Sequence, residues 1–166
     1  MVNPMILQFK ISANTATTIE LPLHNFSSNT VYSVDWGDST SIDICANTHR
    51  YASVPSVTIY TVELDVSSGA IGHFGSTSNL GQILGYGAGW NGMANIYSVI
   101  DWGDLGGLTS LYAAFIKANQ LTSLPANIPA TVTNLTGMFL VNGTFNQDIS
   151  SWNTSNVTRM DSMFMK

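Results

Sequence analysis

Two short acidic strings are the parts of this sequence whose residue types and spacing could do chemistry. The tetrapeptide Asp-Trp-Gly-Asp occurs at residues 35–38 and again at 101–104, in a chain of which only 9% of the residues are charged. Paired carboxylates could serve a glycosidase if they lay about 5–10 Å apart across a cleft. Carboxylates gathered by one loop could instead bind calcium, which takes about six to eight oxygen ligands.

The first string is the better candidate for a metal site because further oxygen donors follow it. Asp35, Asp38 and Asp43 lie in the loop DWGDSTSID, and we predict these three carboxylates as calcium ligands, although their spacing is not that of an EF-hand. The competing interpretation is structural, since Asp and Gly are common turn residues and each tryptophan would anchor a core. No catalytic residue, and therefore no enzymatic activity, is predicted, and no cofactor other than calcium.

Composition and charge exclude several kinds of partner. The formal net charge is −5 and the five Lys and Arg residues are scattered, so no basic stripe exists for a nucleic acid backbone. No apolar run approaches the roughly 20 residues that a membrane span needs. The first residues, MVNPMILQFKIS, lack the basic and apolar regions of a secretory signal, and none is expected.

The elements that must position these residues differ between the two halves of the chain. In residues 1–67, apolar side chains alternate with polar ones, most clearly at Leu7, Phe9 and Ile11 and again along 60–66. A period of two predicts half-buried strands, and several short strands separated by turns predict a small antiparallel sandwich. Residues 68–95 form a Gly-rich connector with room for an extra strand at 81–84. The sequence GAGWNG at 87–92 matches the G-x-G-x-x-G pattern of nucleotide-binding loops. That pattern requires a helix after it, and none is expected here, so nucleotide binding is not predicted.

The second half, residues 96–166, repeats itself. Three similar blocks occupy 108–115 (LTSLYAAF), 132–139 (VTNLTGMF) and 157–164 (VTRMDSMF), with starts 132 − 108 = 24 and 157 − 132 = 25 residues apart. Their apolar spacing predicts a short helix in each block, and an extended segment precedes each one. Strand, turn and short helix repeated at this period predict about three leucine-rich repeats, the last one incomplete.

Both halves resemble known families. The segment FNQDISSWNTSNVTRMDSMF at 145–164 resembles the BspA-like leucine-rich repeats, which are related to a mycoplasma lipoprotein repeat of unknown function. In the first half, YSVDWGDST, HRYA and YTVELDV resemble a PKD-like module, although Ser39 replaces the usual glycine. The resemblance implies a mostly β fold with short helices. It would consist of an N-terminal Ig-like antiparallel β-sandwich followed by a C-terminal leucine-rich-repeat-like β/α solenoid.

The same resemblance implies a function in display and recognition, as in proteins of bacterial surfaces, large DNA viruses and marine phages. The expectation is therefore a non-catalytic structural or interaction protein of a virion or cell surface that acts through protein contacts. An adhesin that binds a receptor or carbohydrate, for example at an aromatic pocket around Trp90, is the alternative. We predict the contact surface at the third block, where apolar side chains would be uncovered, with other subunits of a larger assembly as partners. Its predicted residues are Met160, Met163, Phe164 and Met165.

Overall fold

The computed structural model describes residues 3–77 and 89–166, and within these ranges it contains nine β-strands and no α-helix. The strands are β1 (Met5–Ile11), β2 (Thr17–Glu20), β3 (Leu23–Phe26), β4 (Val31–Asp35), β5 (Asp43–Ile44), β6 (Thr48–Tyr51), β7 (Thr58–Ser68), β8 (Ile71–Phe74) and β9 (Ile96–Asp101). No helix in this described part is long and apolar enough to cross a membrane.

The main sheet has five strands in the order β5-β4-β7-β1-β9. Strand β1 is antiparallel to both β7 and β9, with Leu7 opposite Val62 and Val99. Alternate residues of β1 are fully buried, which confirms the period-two prediction for Leu7, Phe9 and Ile11. The sheet therefore places one apolar face on the core and one mixed face toward solvent.

Two small sheets complete the strand arrangement. Strand β2 pairs with β6, and β3 pairs with β8, both antiparallel. These pairings bring residues that are far apart in sequence next to each other, including His24 opposite His73.

The predicted combination of an Ig-like sandwich with a leucine-rich-repeat-like β/α solenoid is wrong. The described residues form an all-β structure in which none of the three blocks is helical, and the sheets do not form a solenoid. The extended segment expected to begin the first repeat is β9, and it belongs to the main sheet through β1. The limits 1–67, 68–95 and 96–166 stay a prediction. Strand β8 lies inside the predicted connector, and the extra strand predicted at 81–84 falls outside the described residues.

A left-handed residue at the same position explains why the blocks are not helices. The sixth residue of each block has a positive φ: 50° at Ala113, 62° at Gly137 and 55° at Ser162. A residue in this conformation cannot continue a right-handed helix. The chain instead makes short turns closed by bonds such as Ala114 N–H to Leu111 O (3.2 Å). These four-residue turns bury much the same positions as a helix would, so hydrophobic spacing alone predicted the wrong element.

The blocks lie side by side and are joined by a regular set of backbone hydrogen bonds, here called the block ladder. Alternate N–H groups of the first and second blocks, and the N–H group two residues after each, donate to alternate carbonyls in or just after the next block, 23 to 24 residues further on. From the first block to the second, the donors and acceptors are Leu111 to Asn134, Ala113 to Thr136, Phe115 to Met138 and Lys117 to Leu140. From the second to the third they are Leu135 to Arg159, Gly137 to Asp161, Phe139 to Met163 and Val141 to Met165. Repetition in the sequence thus corresponds to repetition of one hydrogen-bonding pattern.

Candidate functional site

The first acidic string forms a tight turn at the end of β4. The Asp35 carboxylate accepts the backbone N–H of Gly37 (2.8 Å), and the Asp38 carboxylate accepts the N–H of Thr40 (3.2 Å) and its hydroxyl (2.6 Å). The buried indole of Trp36 donates to the Asp43 carboxylate (2.8 Å). Each carboxylate therefore closes a turn or fixes the tryptophan.

The second acidic string forms the same turn at the end of β9. The Asp101 carboxylate accepts the N–H of Gly103 (2.8 Å), and that of Asp104 accepts the N–H of Gly106 (2.9 Å). Trp102 is again buried, and its indole donates to the carbonyl of Asn127 (2.8 Å). The two strings are thus one local structure used at the ends of two strands of the main sheet.

The three carboxylates predicted to bind calcium point to different partners. The Asp35 carboxylate accepts a hydrogen bond from a backbone amide, and the Asp43 carboxylate accepts one from an indole. The Asp38 carboxylate is hydrogen-bonded to Thr40 and His49. Within residues 3–77 and 89–166, no group of three or more His, Cys, Asp or Glu is arranged to hold a metal ion. Calcium binding at this loop stays a prediction, and no such group among the described residues supports it.

A small polar and aromatic cluster lies behind the first turn. His49 Nε2 is 2.8 Å from the Asp38 carboxylate, and its ring stacks on Trp36 with centroids 5.1 Å apart. Burial would raise the pKa of Asp38, but its hydrogen bonds with Thr40 and His49 outweigh that effect and hold the pKa below its usual range. The buried Tyr51 hydroxyl donates to the carbonyl of Trp36 (2.8 Å), and burial raises the pKa of this tyrosine. These bonds fix the turn against β6.

A second histidine site lies between β3 and β8. His24 and His73 are cross-strand neighbours with ring centroids 5.5 Å apart, and the His73 side chain is almost fully buried. The Nε2 atom of His73 has no hydrogen-bond partner in the part of the chain that the structure describes. Burial lowers the pKa of both rings, and the nearby His24 lowers that of His73 further, whereas Glu20 raises that of His24. The native structure therefore favours a neutral His73.

This burial predicts a loss of stability in mild acid. The unfolded chain takes up a proton at His73 near pH 6.5, and the native chain resists it, so the free energy of unfolding should fall as the pH drops below about 6.5. One histidine can change the free energy of unfolding by at most about 1.4 kcal/mol per pH unit. Urea denaturation between pH 8 and pH 5 measures it, and the variant His73→Gln should show a shallower slope. An unchanged slope would show that His73 is not responsible.

The residues predicted as a contact surface are not all exposed. In the third block, Phe164 is 57% exposed, Met160 43% and Met165 38%, whereas Met163 is buried at 6%. Three backbone N–H groups on the same side, those of Met160, Ser162 and Phe164, have no partner among the described residues. We call these N–H groups and the three exposed side chains the block edge. It combines apolar surface with N–H donors that no described residue pairs.

One aromatic column leads to the block edge. Phe115, Phe139 and Phe164 occupy the eighth position of successive blocks, and their rings stack with centroids 6.0 Å and 5.4 Å apart. The column ends at the exposed ring of Phe164. The sequence shows that phenylalanine recurs at this position. It does not show that the rings stack, because the stacking depends on the side-by-side alignment of the blocks by the block ladder.

The aromatic pocket suggested around Trp90 does not have an exposed tryptophan. The Trp90 ring is buried against Phe9 and Phe74, and its indole donates to the carbonyl of Ala114 (2.9 Å). This ring belongs to the core and connects the sheet to the first block.

The described residues thus form an all-β structure with two tryptophan-anchored acidic turns and three hydrogen-bonded blocks, the third of which carries the block edge. A family model described as "Mycoplasma protein of unknown function, DUF285" matches residues 100–166, the part that contains all three blocks. Neither the search of curated proteins nor that of solved structures found a match. The match leaves the PKD-like and BspA-like resemblances as predictions.

Proposed function

We propose that this chain is a non-catalytic structural and interaction component of a larger assembly, such as a virion or a cell surface. It binds other proteins through the block edge. The observation that carries this proposal is the coincidence of three exposed apolar side chains with three backbone N–H groups that have no partner among the described residues.

Burial supplies the energy for such a contact. Each Å² of apolar surface that is removed from water contributes about 25 cal/mol of favourable free energy. A large aromatic ring such as Phe164 is a typical anchor of a protein interface. The acidic turns support the non-catalytic part of the proposal, because their carboxylates already serve as acceptors for backbone, indole and hydroxyl groups.

A displayed peptide library tests the location of the surface and requires no identified partner. Peptides selected on the intact chain are expected to bind the wild type and to lose at least about tenfold in affinity for Phe164→Asp, since a charge there cannot be buried unpaired. The matched control is Val57→Asp, which places the same charge at another exposed apolar residue. It should leave peptide binding unchanged.

Two results would contradict the proposal. One is a selection that yields no binding peptide, and the other is a set of peptides that bind Phe164→Asp as well as the wild type. Specific binding to oligosaccharides on a glycan array, together with either result, would favour the alternative of an adhesin.

A further inference from the structure

We propose that the two Asn-Gly pairs of this chain deamidate under different conditions. Asn91 is a site of spontaneous deamidation in the folded chain, whereas Asn142 is protected by its contacts and reacts only when the blocks open. The pairs Asn91-Gly92 and Asn142-Gly143 are the only Asn-Gly pairs in the sequence. The inference concerns a covalent modification of the chain itself and is independent of the block edge.

The reaction needs no enzyme and no reactant other than water. The backbone nitrogen after an asparagine attacks the side-chain Cγ atom, the C–N bond of the carboxamide breaks, and the proton of the attacking nitrogen leaves with the amide group as ammonia. Water then opens the succinimide ring and leaves aspartate or isoaspartate. Glycine favours the attack because it has no side chain and adopts many backbone conformations. The carboxamide must still be free to turn toward the nitrogen.

The Asn142 carboxamide is not free to turn in the native structure. Asn142 is 6% exposed, and its Nδ2 atom donates to the carbonyls of Phe115 (3.3 Å) and Ala118 (3.1 Å). Its Oδ1 atom accepts the backbone N–H groups of Thr144 (3.3 Å) and Phe145 (3.1 Å). Because both ends of the carboxamide are held, its Cγ atom cannot approach the next backbone nitrogen.

The attacking nitrogen of this pair is held as well. The Gly143 N–H donates to the side-chain oxygen of Asn119 (3.4 Å), and the Thr144 hydroxyl donates to the carbonyl of Asn119 (2.8 Å). These bonds join the segment that follows the second block to the segment that follows the first. Deamidation of Asn142 therefore requires the two segments to separate, and the population of this open state sets its rate.

Asn91 lacks these restraints. It is exposed at a turn, and its side chain makes no hydrogen bond with any residue that the structure describes. The Gly92 N–H likewise donates to none of the described residues. The Asn91 carbonyl accepts the N–H of Glu20 (2.8 Å), a bond that involves neither the carboxamide nor the attacking nitrogen. Both groups that must meet are therefore available in the folded chain.

The two products differ in their effect on the fold. A carboxylate at residue 142 would face the carbonyls of Phe115 and Ala118 without a proton to donate, and a buried charge opposite acceptors is costly. A chain that deamidates there while it is open would refold with lower stability. At residue 91 the new charge would lie at an exposed position. Deamidation of Asn142 thus indicates that the blocks have opened, and deamidation of Asn91 does not.

The test incubates the intact chain at mildly alkaline pH, in buffer and in denaturing urea. Mass spectrometry of proteolytic peptides follows the change from amide to acid, and an isoaspartate-specific methyltransferase detects the second product. In buffer, Asn91 is expected to react at least about tenfold faster than Asn142, because only the open state reacts at Asn142. In denaturing urea the two rates should be similar. Urea concentrations below the unfolding transition should raise the rate at Asn142 alone.

A pair of variants tests the effect on stability. Asn142→Asp should move the urea midpoint of unfolding to a lower concentration, and the matched control Asn91→Asp should leave it nearly unchanged. If Asn142→Asp does not fold, the peptide rates still decide, because they are measured on the unaltered chain. Equal rates at the two positions in buffer would overturn the inference. A rate at Asn142 that is the same in buffer and in urea, or an Asn142→Asp midpoint equal to that of the wild type, would overturn it too.

Discussion

Replacing Phe139 with alanine is expected to lower the free energy of unfolding by about 3–5 kcal/mol, the usual loss for a large ring removed from a packed core. Phe139 is 2% exposed and lies in the middle of the aromatic column. Its ring stacks on Phe115 and Phe164, and on Phe145 at a centroid distance of 4.4 Å.

The matched control is Phe164→Ala, which removes the same ring from the same position of the next block. Because that ring is largely exposed, the expected loss is below about 1 kcal/mol. Urea denaturation of both variants at pH 7.5 measures the two effects. Similar losses for the two variants would mean that the column is not packed as described.

Strand positions were predictable from the sequence because side-chain alternation reports directly on a half-buried strand. Along β7, Val62, Leu64 and Val66 are buried while Glu63 is exposed, as the period of two requires. The pairing of those strands was not predictable, since it depends on contacts across the whole chain. Strand β9 joins β1 across about 90 residues, and no local pattern indicates it.

The blocks show where the hydrophobic pattern misleads. The repetition in the sequence recurs as one hydrogen-bonding pattern, but the predicted helices and the solenoid were wrong. A further signal was present: the sixth position holds only Ala113, Gly137 and Ser162, all small residues. Small side chains ease the left-handed conformation that ends a helix, although only glycine adopts it freely. A small residue at one fixed position is weaker evidence than an apolar period, so the helix prediction prevailed.

The structural interpretation of the acidic strings agrees with the turns that the structure shows, but the partners of their side chains were not predictable. That Asp38 would meet His49, and Asp43 the indole of Trp36, depends on where β5 and β6 lie against β4. The common function of the two strings follows from these contacts. In each, an aspartate closes the turn, a buried tryptophan anchors it, and a glycine allows the backbone to pass close to a neighbouring strand.

The glycine of each string should therefore tolerate no side chain. Gly37 and Gly103 have φ values of +72° and +63°, and a Cβ atom would collide with the carbonyl of Thr61 on β7 and with the backbone N of Met5 on β1, respectively. The left-handed conformation costs about 1–3 kcal/mol for alanine. The backbone collision adds about 1–3 kcal/mol, because a strand inside the sheet cannot move away freely.

Gly37→Ala and Gly103→Ala are thus each expected to lower the free energy of unfolding by about 2–6 kcal/mol. Gly143→Ala is the control, because no atom lies within 4 Å of the Cβ that it would introduce. It should be neutral or slightly stabilising, through reduced freedom of the unfolded chain. Urea denaturation of the three variants gives the comparison. If the two losses in free energy of unfolding at residues 37 and 103 differed widely, the two turns would not share one structural function. If Gly143→Ala lost as much as these two variants, neither the backbone conformation nor the neighbouring strand would set the cost.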